Sequence, residues 1–194
     1  TPGVDASAGP LGQGLGMAVG MAMAERHLAA TYNRPGLPII DHYTYVLAGD
    51  GDLMEGISQE ALSLAGHHQL GKLIVLHDAN QVSLDGPLNL SSSENQRQRF
   101  EAAGWDYLVV EHGDTDVAAI EQALQQAKQT AQPTLIEVQT TIGYGAPQAG
   151  TNKVHGAPLD AAGRQALADF FKWEAAPFEI DQTIRDHFAA AVAG

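Results

Sequence analysis

The stretch YTYVLAGDGDLMEGISQEALSLAG, Tyr43–Gly66, decides how the chain is to be read. It opens with aromatic and β-branched residues and passes through Gly49-Asp50-Gly51. It then takes up a helical period of apolar residues. The first part predicts a strand over about Tyr43–Ala48. The last predicts a helix over about Ser58–His68, with Ser58 as a candidate cap. Between them a lone carboxylate stands between two glycines at a strand end. Glycine admits close approach to the backbone, and the carboxylate favours a visitor that is positively charged or bridged by a cation.

The same alternation extends outward in both directions. Gly9–Gly16 is glycine-rich and leads into Met17–Tyr32, whose small residues on most faces predict a tightly packed helix. Asn33–Gly36, NRPG, ends it. Further strands are expected at Lys72–Asp78, Trp105–Glu111 and Pro133–Thr140, with helices near Glu94–Ala103 and Asp116–Ala131. Strand and helix in alternation predict an α/β fold: a doubly wound, mostly parallel sheet with helices on both faces. Ile142–Leu159 is a long Gly/Pro loop, a length associated with function in compact domains. One helical stretch follows Asp160, and WEAAPFEIDQTIRDHF reads as the start of a linker. We therefore expect one domain over 1–175 and the beginning of an interdomain linker over 176–194.

Composition excludes several classes of function. The 194 residues allow one domain with a real core. With Lys+Arg 10 against Asp+Glu 23, the chain is a poor match for nucleic acid, which needs clustered cations. Cysteine is absent, which removes disulfides, thiolate nucleophiles and Cys-based zinc sites. No run approaches the ~20 apolar residues of a membrane span. The opening TPGVDASAGPLGQG has no signal-peptide pattern and no initiator Met, so the chain is expected to begin inside a longer protein.

In open parallel sheets, ligands gather beyond the carboxyl ends of strands. Here two successive strands end in Gly49-Asp50-Gly51 and His77-Asp78-Ala79-Asn80. Asp50 offers a carboxylate oxygen, Asn80 an amide oxygen and Val82 a backbone carbonyl. Three such oxygens suit a hard divalent ion such as Mg²⁺, completed by water and phosphate, with Ca²⁺ or Mn²⁺ as substitutes. Gly51 would let a phosphate reach the main chain. The competing reading is a plain turn. Gly12-Gln13-Gly14-Leu15-Gly16 resembles part of a dinucleotide fingerprint, but no strand precedes it and no acidic residue follows at the usual spacing. Of the histidines, His67 and His68 end a helix, and His27 and His42 have ordinary surface explanations. Only His155 gains functional weight, from its loop.

At this point a family resemblance enters. Gly49-Asp50-Gly51 followed by Asn80 resembles the thiamine diphosphate motif. TPGVDASAGPLGQG, AERHLAATYNRPG, DHYTYVLAGDGDLMEGISQEALSLAGHHQLGKLI, RFEAAGWDY, IGYGAP and VHGAPL are together similar to the transketolase family, in order and over essentially the whole chain. The resemblance implies the thiamine diphosphate-binding fold, without the upstream part of that domain. It implies Asp50, Asn80 and the Val82 carbonyl as Mg²⁺ ligands. It implies Gly51 and Asn80 as diphosphate contacts, Gly9, Pro10 and Leu11 beside the cofactor, Glu55 among the cofactor-binding residues, and His155 as the catalytic residue. His155 would touch both the diphosphate and a sugar substrate. Glu55 and Glu60 match acidic residues buried near a subunit contact, where they link paired sites. Asp78-Ala79-Asn80 replaces the more usual acidic-acidic-Asn wording, and Ala79 is not a ligand position.

The implied chemistry is transfer of a two-carbon ketol unit from a ketose phosphate to an aldose phosphate, in the pentose phosphate pathway of the cytoplasm. The cofactor's thiazolium supplies the nucleophile and electron sink. A homodimer partner would supply the pyrimidine-binding domain and its activating glutamate, which nothing in this sequence matches. The 194-residue chain alone is therefore expected to be inactive. Related readings are a dihydroxyacetone synthase or a deoxyxylulose-phosphate synthase. VHGAPL and DHYTY favour transketolase over the latter. A split subunit acting only through a partner chain is a further alternative, for which the Ala/Met-rich helix would present an apolar face.

Overall fold

The computed structural model describes residues 3–193. Thr1 and Pro2 of the opening segment, and the bounds 1 and 194 of the two expected units, lie outside the described residues. In chain order the first elements are α1 (Gln13–Tyr32), β1 (Thr44–Gly49), α2 (Asp50–Met54), α3 (Gly56–His67) and β2 (Leu73–Ala79). A two-stranded hairpin follows, β3 (Val82–Ser83) and β4 (Gly86–Pro87), then α4 (Gln96–Ala102), β5 (Asp106–Val110), α5 (Val117–Ala127) and β6 (Thr134–Gln139). The chain ends in α6 (Ala161–Phe171) and α7 (Gln182–Ala193).

The main sheet is parallel throughout, in the order β1-β2-β6-β5. The steps from β1 to β2 and from β2 to β5 run in one direction. With right-handed crossovers they carry α3 and α4 over the same face. The step from β5 back to β6 reverses direction and puts α5 on the opposite face. Two cores result. Leu15 and Val19 of α1, Leu62 of α3 and Phe100 of α4 pack against Leu73, Val75 and Leu135. Ala123 and Ala127 of α5 pack against Ile74, Ile136 and Val138. Successive strand residues point to opposite faces, so Val75 and its neighbour Ile74 serve different cores.

Close contacts lock the first core. A Cβ at Gly66 would lie 1.8 Å from the Ala103 carbonyl oxygen, so only glycine lets α3 approach the end of α4. The Trp105 indole donates to the Leu62 carbonyl at 2.8 Å and meets Phe100 edge-on, centroids 5.1 Å apart.

Two details differ from expectation, and the C-terminal stretch carries a helix. Ser58 caps nothing: Gly49-Asp50-Gly51 runs straight into the short helix α2, and α3 begins directly afterwards at Gly56. Ser58 is thus buried inside α3, where its hydroxyl donates to the Asp52 carbonyl at 2.5 Å. The α1 helix is packed on one face only, through Leu15, Ala18, Val19, Ala22 and Glu25, while Met17, Met21 and Met23 are exposed. The stretch read as a linker start contains α7, and every residue from 171 to 190 is exposed. On β1 the outward residues Tyr45 and Leu47 are also exposed, Leu47 by 85%, because α5 covers β5 and β6 but not this strand.

Two groups tie the stability of the fold to alkaline pH. Burial, and the hydrogen bond that its hydroxyl donates to Glu137, push the Tyr107 phenol far above its ordinary value. Burial opposes the charge of Lys72, but its bonds to Asp41 and Glu25 outweigh that and raise the ammonium. Both folded values lie above the unfolded ones of about 10 and 10.4, so the stabilisation is complete below that range and is lost as pH rises through the folded values. Thermal unfolding followed by circular dichroism should show the midpoint falling above about pH 10, with a shallower fall in Tyr107→Phe. Gly66→Ala should destabilise by about 1–3 kcal/mol at neutral pH, from overpacking against Ala103.

Candidate functional site at the carboxyl ends of the strands

The parallel register of β1 and β2 sets Gly49 opposite Asp78, so the residues that follow each strand share one edge of the sheet. The chain reverses its winding at the step from β5 back to β6, which lies beside β2. A crevice outside the carboxyl ends is expected at such a point. Residues following β1, β2 and β6 line this edge.

Asp50, the first residue of α2, is buried. Its Oδ1 lies 2.9 Å from His77 Nε2, and its Oδ2 accepts the Gln81 N–H at 3.2 Å. The predicted pair of strand tips is thus physically joined: the carboxylate of the first reaches the turn that holds Asn80 and Val82. Asn80 Oδ1 accepts the Val82 N–H at 3.0 Å, and its Nδ2 donates to Asp78 Oδ2 at 3.0 Å. Gln81 between them has a left-handed backbone, φ 61°. Leu88 donates to the Gln81 carbonyl at 2.9 Å, which makes Val82 and Pro87 the next, non-hydrogen-bonded pair of the hairpin. The N–H and carbonyl of Val82 therefore turn away from β4, toward the side where the Asn80 amide lies.

The Gly9-Pro10-Leu11 segment reaches the same place from the N-terminal side. A Cβ at Gly51 would stand 3.2 Å from Leu11 Cδ1, so the absent side chain lets Leu11 pack close against this turn. Gly12 follows with φ 78°, wedged where a Cβ would fall 2.8 Å from Glu55 Cβ and Ser58 Oγ. Asp52 fastens this junction. Its Oδ1 accepts the Gly12 N–H at 3.0 Å and its Oδ2 the Gly49 N–H at 2.9 Å, so one carboxylate serves the N-termini of α1 and α2.

His155 closes a short 3-10 turn, Asn152–Val154, in the long Gly/Pro loop. That loop is tied to the hairpin, since Asn152 Nδ2 donates to the Leu84 carbonyl at 3.3 Å. Just before the loop, Thr140 Oγ1 donates to Asp78 and ties the end of β6 to β2. The Nδ1 atom of His155 is buried with no partner among the described residues. Glu55 and Glu60, on α2–α3, are both exposed on this chain.

Asp52 and His77 are the residues that sequence reasoning passed over. Asp52 stands three positions after Gly49, the spacing at which a side chain reaches back to a helix N-cap. His77 interrupts the apolar run LIVLHD at a position that is 2% exposed, and a buried imidazole requires a partner.

The donor set fits a hard cation and a diphosphate together. Among the described residues no group of three or more His, Cys, Asp or Glu could hold a metal by itself. A cation here would draw on one carboxylate, one amide oxygen and one carbonyl, and would leave positions for phosphate oxygens and water. The neighbourhood is acidic, with Asp50, Asp52, Asp78 and Asp85, so a diphosphate alone would meet repulsion. The unpartnered His155 Nδ1 is a feature suited to the anion itself.

Residues 1–194 match the family described as "Transketolase, thiamine diphosphate binding domain". The chain is 60% identical over 195 residues to transketolase from Geobacillus stearothermophilus, covering 99% of this chain and 29% of that protein. It is 57% identical over 197 residues to transketolase from Bacillus subtilis, again covering 99% and 29%. Among solved structures, transketolase from Leishmania mexicana superposes with a TM-score of 0.94 at 49% identity, over 98% of this chain and 29% of that one. A transketolase from Pichia stipitis, described as a complex with sedoheptulose-7-phosphate, gives a TM-score of 0.96 at 44% identity, over 100% and 29%. The chain thus spans about 29% of the length of these relatives. Within the domain, Asp52→Ala should release both helix N-termini and lower stability by about 2 kcal/mol, read from urea unfolding at neutral pH.

Proposed function

Because this chain belongs to the transketolase family, as its thiamine diphosphate-binding domain, we propose that it anchors the diphosphate of that cofactor through a divalent ion, Mg²⁺ in the first place. The single observation that carries this reading is the reach of Asp50 to the turn of Asn80 and Val82. Asp50 Oδ2, Asn80 Oδ1 and the Val82 carbonyl are the protein oxygens for the cation. Gly51 and Asn80 would face the phosphates, with Gly9, Pro10 and Leu11 beside them.

Within the complete protein the domain would serve ketol transfer between sugar phosphates, in the cytoplasm and the pentose phosphate pathway. A Pichia stipitis relative described as a complex with sedoheptulose-7-phosphate supports that substrate class. The bound cofactor would supply the nucleophilic carbon and the electron sink. This chain's own part is to bind, orient and neutralise. His155 would donate or accept at the diphosphate and at a sugar hydroxyl, with its buried Nδ1 held ready. Glu55 and Glu60, exposed here, would meet a second subunit, alongside the exposed methionines of α1. That subunit would bring the pyrimidine-binding domain, so we expect the chain by itself to show no turnover.

In the complete protein, calorimetric titration with thiamine diphosphate should give tight binding only when Mg²⁺ is present. Asp50→Ala should remove the metal-dependent part, and unchanged affinity would sink the assignment. His155→Ala should lower kcat by about a hundredfold or more while leaving cation binding intact.

A further inference from the structure

We propose that His77 sets the cation preference of the site by making Asp50 a one-oxygen ligand; this rests on the cation reading given above. The imidazole is 2% exposed and sits on β2, between Ala48 of β1 and Glu137 of β6 in the register. A carboxylate only accepts hydrogen bonds, so His77 Nε2, 2.9 Å from Asp50 Oδ1, carries the hydrogen. Its other nitrogen, Nδ1, has no partner among the described residues. The ring's one polar contact is therefore with Asp50. The two carboxylate oxygens then have separate duties. Oδ1 is held by a buried ring on a central strand. Oδ2 faces the 80–82 turn, where it meets the Gln81 N–H at 3.2 Å.

This division matters because divalent ions use carboxylates differently. Mg²⁺ takes a near-ideal octahedron with single oxygens and retains water. Ca²⁺ accepts a larger, looser shell that often includes both oxygens of one carboxylate. Both oxygens accept one hydrogen bond, but Oδ1 has the shorter one, from a ring fixed inside the sheet, and Oδ2 the longer one, from a turn amide; Oδ2 is the oxygen freer to turn to an ion, and one-oxygen ligation favours the smaller ion. Hydrogen bonds that orient a metal-binding side chain typically matter 10–100-fold in metal affinity. His77 is on this account a positioning residue, acting through Asp50.

The test is calorimetric titration of Mg²⁺ and Ca²⁺ into the complete protein with thiamine diphosphate, comparing the unmodified protein with His77→Phe and His77→Gln. Phenylalanine keeps a ring but loses the donor; glutamine keeps an N–H donor. We expect His77→Phe to weaken Mg²⁺ about 10–100-fold and to shift the Ca²⁺:Mg²⁺ affinity ratio at least tenfold toward Ca²⁺. His77→Gln should restore most of the preference. A parallel weakening of both ions, or no change in either, overturns the proposal while leaving the cation site standing. An unmodified protein that binds neither ion overturns the cation reading itself. Should the phenylalanine protein not fold, a crystal structure of the unmodified protein with Mg²⁺ and the cofactor decides. One Asp50 oxygen on the ion and the other on His77 supports the proposal; both oxygens on the ion overturn it.

Discussion

A buried carboxylate at the tip of a parallel strand is the constraint on which the rest of the site depends. Asp50 is removed from water, and its two hydrogen bonds reach a strand neighbour and the turn beyond it. Burying a charge is costly without partners. Every partner of Asp50 comes from β2 or the turn that follows it, so the β1–β2 register is a condition of the site's existence. A slip of one residue would turn His77 to the other face and leave the carboxylate stranded.

Much of the fold was legible because hydrophobic period and strand length are local properties. The strands at 44–49, 73–79, 106–110 and 134–139 and the helices between them follow directly from their patterns. What was not legible depended on contacts distant in sequence. The short α2 was hidden because Gly49-Asp50-Gly51 reads as a turn, and the cap expected at Ser58 failed for the same reason. The sequence places Asp50 and Asn80 at successive strand ends, but only the sheet order shows that those ends touch. The double duty of Asp52 spans 40 residues, from Gly12 to Asp52, and no local pattern announces it.

The electrostatics of the site have a simple logic. Helix N-termini ordinarily attract phosphate, yet the amides of Gly12 and Gly49 are already answered by Asp52. With those donors occupied and carboxylates nearby, an anionic group finds little welcome from the protein alone. A cation that reverses the sign of the local field is the economical solution, and the oxygen donors around the 80–82 turn are suited to it.

The open flank of β1 has a consequence for handling the molecule. Among the described residues this strand ends the sheet, and it shows Tyr45 and Leu47 on its uncovered face. An unpaired rim with apolar neighbours invites a foreign strand to dock along it. Covering this rim, by a neighbouring segment or by charged side chains along it, removes that invitation.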